Sequence, residues 1–296
     1  MYQISNKLIK IAVKKIGAEL YEISSVKNKT AFMWDADPTI WGSFAPNLFP
    51  IIGALKNNEY IVEGKTYNMP KHGFIRHNSY IKLIEKTDSS LKFQLEYNQE
   101  SLKMFPFKFC YNIQFSLEEN ILHIHHEVKN LDNKPMFFSI GGHPAFKCPV
   151  YENEKYSDYN LRFEFTETAE TYLLNLENGL LTNQKELVLD KSNTLDLNYS
   201  LFNKDALVFK DLKSRKITLN SKNKGDIITI NYADFPHLGI WAKPNADYVC
   251  IEPWIGYADL ETTNQQLPSK EGIIKLEASS NFKAKYSIEI HKAHVV

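Results

Sequence analysis

The stretch LKFQLEY at residues 91–97, followed by FCYNIQFSLEENILHIHHEV at 109–128, decides the fold. Leu91, Phe93, Leu95 and Tyr97 alternate with Lys92, Gln94 and Glu96. Phe109, Tyr111, Ile113, Phe115 and Leu117 repeat that period, which places every second side chain on one face of a strand. Glu118-Glu119-Asn120 then turns the chain into Ile121, Leu122, Ile124 and Val128, the pattern of a hairpin. Outward from it, shorter runs of the same kind recur at Tyr60–Val62, Tyr80–Ile84, Met136–Ile140, Leu161–Phe165, Leu187–Leu189 and Ala206–Phe209. They continue at Lys216–Leu219, Ile227–Tyr232, Leu238–Ala242, Tyr248–Ile251, Ile273–Leu276 and Ala284–His291. Clusters of Asn, Asp, Gly, Ser and Pro separate them. Strands do not alternate with long amphipathic helices, which argues against a doubly wound parallel sheet. No repeat and no Pro-, Gly- or Ser-rich linker divides the chain. The pattern predicts one all-β domain over 1–296, a large antiparallel β-sandwich or a barrel.

Composition narrows the class. With 43% hydrophobic and 24% charged residues, the chain can bury a core and is not of the disordered type. Lys plus Arg and Asp plus Glu number 35 each, so there is no basic footprint for nucleic acid. No apolar run reaches the length of a membrane helix. The opening MYQISNK lacks the charged-then-apolar pattern of a signal peptide, so the expected setting is the cytoplasm. Cys110, Cys148 and Cys250 match neither a disulfide framework nor a zinc pattern and read as buried thiols in a reducing compartment. Aromatic residues make up 13%, enough to fill a strand core and to leave ring faces for the C–H face of a sugar.

Four segments break the alternation with residues that chemistry uses. They are 47–53 (NLFPIIG), 69–77 (MPKHGFIRH), 139–146 (SIGGHPAF) and 250–256 (CIEPWIG). In the third, Gly141 and Gly142 leave the backbone open to close approach, and Pro144 holds His143 extended. His143 is then either a proton donor and acceptor near neutral pH or a histidine hydrogen-bonded in a tight turn. In the fourth, Glu252 stands beside Pro253 and Trp254, where partial desolvation would raise its pKa and make it a better base. The bland alternative is a solvated carboxylate at a strand end. In the second, His72 and Arg76 are four apart and would share a face on extended backbone, where their donors suit an oxygen-rich ligand. His123 and His125 form a His-x-His pair without a third ligand at a convincing spacing, so a half-exposed strand face is favoured over a metal site. No metal or cofactor is expected.

Taken in order, the segments resemble the aldose 1-epimerase (mutarotase) family, in particular its LacX-like bacterial branch. The matching marks are NLFPIIG at 47–53, HGFIR at 72–76, FPFKF at 105–109, GGHPAF at 141–146, DALVF at 205–209, GIWAKP at 239–244 and EPWIG at 252–256. The resemblance implies a β-supersandwich with an open groove for one sugar, and anomer exchange without a cofactor. By it, His143 is the general acid, Glu252 the general base, and His72 binds and polarises the sugar. Asp205 binds ring hydroxyls, with Arg76, Asn47 and Trp241 as further sugar contacts. Galactose mutarotases carry an upstream Arg where this chain has Ala45-Pro46-Asn47-Leu48-Phe49-Pro50, leaving its role to Arg76. One Arg rather than two in these regions points to a free hexose such as galactose or glucose. The alternatives are a mutarotase of a hexose 6-phosphate, a carbohydrate-binding protein without turnover, and a cupin-like metalloprotein built on His123 and His125. The expected partner is a monosaccharide alone, with no nucleic acid and no membrane, and the expected assembly is a monomer or weak homodimer.

Overall fold

The computed structural model describes all 296 residues. The hairpin at its centre forms as its alternation requires. Ser90–Glu96, Phe109–Glu118 and Ile121–Asn130 are consecutive antiparallel strands, with Ile121 opposite Glu118 across a two-residue turn. Glu119 takes the left-handed conformation (φ 49°) that such turns need. Leu91, Phe93, Phe109, Tyr111, Ile113 and Phe115 all point into the core, while Lys92 and Gln94 stay partly exposed. Each such buried side chain stabilises the fold by about 1.5–3 kcal/mol before entropy is counted.

Nine antiparallel strands build the main sheet. Its order is Leu181–Asp196, Tyr159–Leu174, Lys216–Ser221, Gly225–Asn231, Asn281–Ile290, Ile121–Asn130, Phe109–Glu118, Ser90–Glu96 and Lys82–Lys86. A six-stranded sheet carries the order Leu207–Phe209, His237–Trp241, Tyr248–Ile255, Ile140–Gly142 and Asn47–Leu48, and Ala145–Lys147 also pairs with Tyr248–Ile255. A three-stranded N-terminal sheet and two two-stranded ribbons complete the structure, with one short α-helix, Gln99–Met104. This is the large antiparallel β-sandwich that the alternation predicts. Its main buried cluster runs from Ile4 to Val295.

Two strands differ from expectation in ways that matter for the site. The run Met136–Ile140 is broken at Ser139: Met136–Phe138 pairs with Ile274–Leu276, and Ile140–Gly142 crosses into the six-stranded sheet. Tyr248 does not stop at Ile251 but continues to Ile255, so Glu252 sits in mid-strand and not at a strand end. The paired strands Tyr159–Leu174 and Leu181–Asp196 are sixteen residues each. Their tip reaches back to the six-stranded side, where Leu181 N–H donates to Asp259 O (2.8 Å) and Asn175 Nδ2 to Glu261 Oε1 (2.8 Å).

Candidate active site

Strand geometry brings the chemistry together. Side chains alternate along Tyr248–Ile255, so Cys250, Glu252 and Trp254 share one face. His143 follows the neighbouring strand Ile140–Gly142 and is pinned by its N–H, which donates to Pro46 O (3.1 Å). Its Nε2 lies 3.2 Å from Glu252 Oε2. Both side chains are buried, Glu252 to 1% exposure. The imidazole is clamped: Trp41 stacks on it with centroids 5.0 Å apart, and Trp241 and His72 meet it edge-on at 5.9 and 5.6 Å.

The two glycines before His143 serve packing, not ligand approach as expected. A Cβ on Gly141 would lie 2.6 Å from Pro253 O, and one on Gly142 2.3 Å from the Tyr286 hydroxyl. Neither glycine lines the cavity.

His72 and Arg76 do converge, but not by extended spacing. His72 and Gly73 are both left-handed (φ 67° and 75°), and Arg76 sits on the 3-10 turn Ile75–His77. Gly73 is obligatory there, since a Cβ would meet Phe49 O at 2.2 Å. Gly53 N–H donates to His72 Nδ1 (3.2 Å), which fixes the tautomer with the proton on Nε2. Arg76 donates to Ser43 Oγ (3.3 Å), while its Nε–H is buried without a partner.

These groups line a cavity of about 200 Å³, the scale of a single sugar ring. His72, Arg76, His143, Asp205, Trp241 and Glu252 all border it. Asp205, left-handed at φ 73°, sits in the turn before Leu207–Phe209 and also accepts from Ala206 N–H (2.7 Å). Asn47 is the exception and its expected role is corrected: its amide donates to Gly17 O and Ala18 O (2.9 Å each), anchoring the N-terminal sheet away from the cavity.

Several lining groups carried no clear sequence signal. Trp41 comes from an irregular loop. Leu174, Gly179 and Leu181 come from the tip of the long hairpin. Lys71, by contrast, lies in the 69–77 segment that the sequence singles out, and it adds a second cation beside Arg76. Tyr257 forms the far wall, held by Lys210, whose ammonium lies 4.0 Å from its ring and 4.1 Å from that of Tyr172.

Electrostatics set the pair apart from ordinary side chains. Burial pushes Glu252 well above the usual carboxylate range; Lys71, the Trp254 indole and Arg76 pull it back, and Asp205 adds to the rise. Burial, then the Arg76 charge, lowers His143 to about 3. His72 is held well below its ordinary value by burial, with His143, Lys71 and Arg76 adding to the fall. His123 and His125 lie elsewhere, half-exposed on the main sheet, with His123 Nε2 3.3 Å from Glu118 Oε2. The three cysteines are buried and unpaired.

A family model described as aldose 1-epimerase matches residues 1–267. The chain belongs to the aldose 1-epimerase family. The LacX proteins of Lactococcus lactis subsp. lactis, plasmid and chromosomal, are 33% identical over 97% of this chain and 98% of their own. A solved galactose mutarotase related enzyme from Lactobacillus acidophilus superposes with a TM-score of 0.93 at 34% identity, covering 98% of this chain and 97% of that one. A galactose mutarotase-like protein from Lactobacillus casei ATCC 334 gives 0.89 at 28% identity, covering 98% and 100%. No helix of this family member is long and apolar enough to cross a membrane.

Proposed function

We propose that this family member interconverts the α and β anomers of a free hexose. The observation that carries the reading is the buried His143–Glu252 pair, 3.2 Å apart, at the edge of a cavity for one sugar. In its productive form Glu252 is ionised and His143 carries the proton; Lys71 and Arg76 stabilise the carboxylate, while the same two charges work against the imidazolium. Glu252 takes the O1 proton while His143 gives its proton to O5. The C1–O5 bond breaks and the C1 carbonyl forms. After rotation about C1–C2, O5 attacks the other face of C1, His143 takes back its proton and Glu252 returns the other to O1. Nothing is consumed. Each transfer contributes about 10²–10⁴ in rate. The His72 Nε2–H and Arg76 stabilise charge on oxygen, and Asp205 and Trp241 orient the ring.

A module that only bound sugar would have no use for an acid and a base out of water and in contact. Three unpaired buried thiols support action in the cytoplasm. The test is polarimetry of freshly dissolved α-glucose and α-galactose with and without protein. Loss of rotation at the uncatalysed rate only, for both sugars, sinks the reading.

One observation favours a second substrate. Lys71 joins Arg76 at the cavity, and two cations can hold a phosphate. Against it, Asp205 and Glu252 border the same space and repel a dianion. Free hexoses are therefore expected to be turned over better than their 6-phosphates. Competing the two forms in one NMR exchange experiment decides it, and a higher kcat/KM for the 6-phosphate reverses the order.

A further inference from the structure

We propose that His143, Cys250 and Glu252 form a site for a thiophilic divalent cation of the zinc–cadmium class, and that the ion silences the acid–base pair. Cys250 and Glu252 are two apart on one strand and share a face, and His143 arrives over both. One ligand atom from each lies within 4.8 Å of the others. All three side chains are buried, Cys250 completely. Glu252 Oε2 makes no hydrogen bond, and the His143 atom that faces it at 3.2 Å is Nε2. A buried donor set of this kind is under-satisfied by the protein itself.

Thiol, imidazole and carboxyl are the ligand types zinc takes, at about 2.0–2.3 Å in a tetrahedron. Donors around such an ion stand about 3.5 Å apart, so Cys250 Sγ needs to close by about 1 Å. His143 and Glu252 border the cavity, which gives an ion its way in, while Cys250 lies behind them, off the lining. Charge balances as well: one thiolate and one carboxylate neutralise a dication, which matters where water cannot. Binding releases the Cys250 thiol proton and the one proton held by the His143–Glu252 pair to solvent, so affinity rises with pH. The ion occupies the lone pairs that proton transfer needs. That last effect rests on the proposed reaction, whereas ion binding does not.

The test starts from chelator-treated full-length protein titrated with cadmium alone. A sulfur-to-cadmium charge-transfer band in the ultraviolet is expected, saturating at one ion per chain, lost in Cys250→Ser and kept in Cys110→Ser. Zinc is expected to inhibit mutarotation reversibly, with EDTA restoring it, and Cys250→Ser to weaken that inhibition about tenfold or more. No band in the wild-type protein overturns the proposal, as does a band that persists in Cys250→Ser. Activity lost to EDTA and restored by zinc also overturns it, because the ion would then be required. Should Cys250→Ser fail to fold, Glu252→Gln is read instead, and an unchanged cadmium affinity there counts against the site. A protein inactive on every sugar leaves the cadmium measurement intact, so the two readings fail separately.

Discussion

A carboxyl and an imidazole 3.2 Å apart and out of water do not ionise independently. His143 and Glu252 are expected to titrate as one unit holding a single proton. The lower step belongs near the depressed histidine value of about 3, where the pair takes a second proton. The upper step follows the raised carboxyl, where the pair loses its only one. Activity therefore rises with pH through the lower step and falls through the upper. A kcat/KM profile that instead breaks at about 6.5, the ordinary histidine value, would assign the acid to an isolated imidazole. Glu252→Gln and His143→Ala are each expected to lower kcat by about 10²–10⁴ without unfolding, and the double variant little further. Polarimetry with circular dichroism as a fold control checks this, and near wild-type kcat in either single variant removes that residue from proton transfer. Gly-Gly-His-Pro and Glu-Pro-Trp single both residues out but leave each open, His143 against a turn histidine and Glu252 against a solvated carboxylate; the ordered set of family-like segments is what suggests their roles. Asn47 was misread for a tertiary reason: the carbonyls of Gly17 and Ala18 that claim its amide are thirty residues away in sequence. Trp41 was illegible because an irregular loop has no period to place it.

At the scale of elements, the strand pair His237–Trp241 and Tyr248–Ile255 is a template for the cavity wall. Gly239 lies opposite Glu252, and the Trp254 ring crosses directly over it. A Cβ there would meet the indole at 2.5 Å. Gly239→Ala is expected to cost about 1–3 kcal/mol of stability by overpacking. It should also raise KM, because the indole is displaced into the space for sugar. Denaturant midpoints together with KM test both halves, and an alanine variant with unchanged KM would mean the ring relaxes elsewhere. Most strands were legible from period two because one face of each is buried. The break at Ser139 was not, since a continuous apolar run reads the same whether or not it changes sheet. Nor was the length of the hairpin: from Phe165 on, the positions that Tyr159–Leu174 buries are polar, Glu167 and Thr171, so the apolar alternation fades.

For the whole molecule, buried histidines tie stability to pH. His126 and His143 are lowered to about 3 and His237 to about 4, each chiefly by burial, and His72 is lowered well below its ordinary value. Below about 6.5 the unfolded chain takes up protons that the folded one refuses. Stability then falls with falling pH, by up to about 1.4 kcal/mol per pH unit for each histidine, until the folded values are reached. Glu252 works the other way, since its raised value lets the folded state bind a proton first as pH falls towards 4.5. With His143 and Glu252 set aside as one coupled pair, His72, His126 and His237 predict a lower urea midpoint at pH 5 than at pH 7. A midpoint that holds or rises over that interval would show that these histidines are not kept neutral. The site itself is assembled late in the chain's own order. His143 and Glu252 meet only because distant strands pair in one sheet, and between them lies the exposed turn 222–224 that joins Lys216–Ser221 to Gly225–Asn231. A nick in that turn leaves the acid on one fragment and the base on the other. Neither piece alone could exchange anomers, so recovered turnover on mixing would report non-covalent reassembly, making the chain a candidate split reporter.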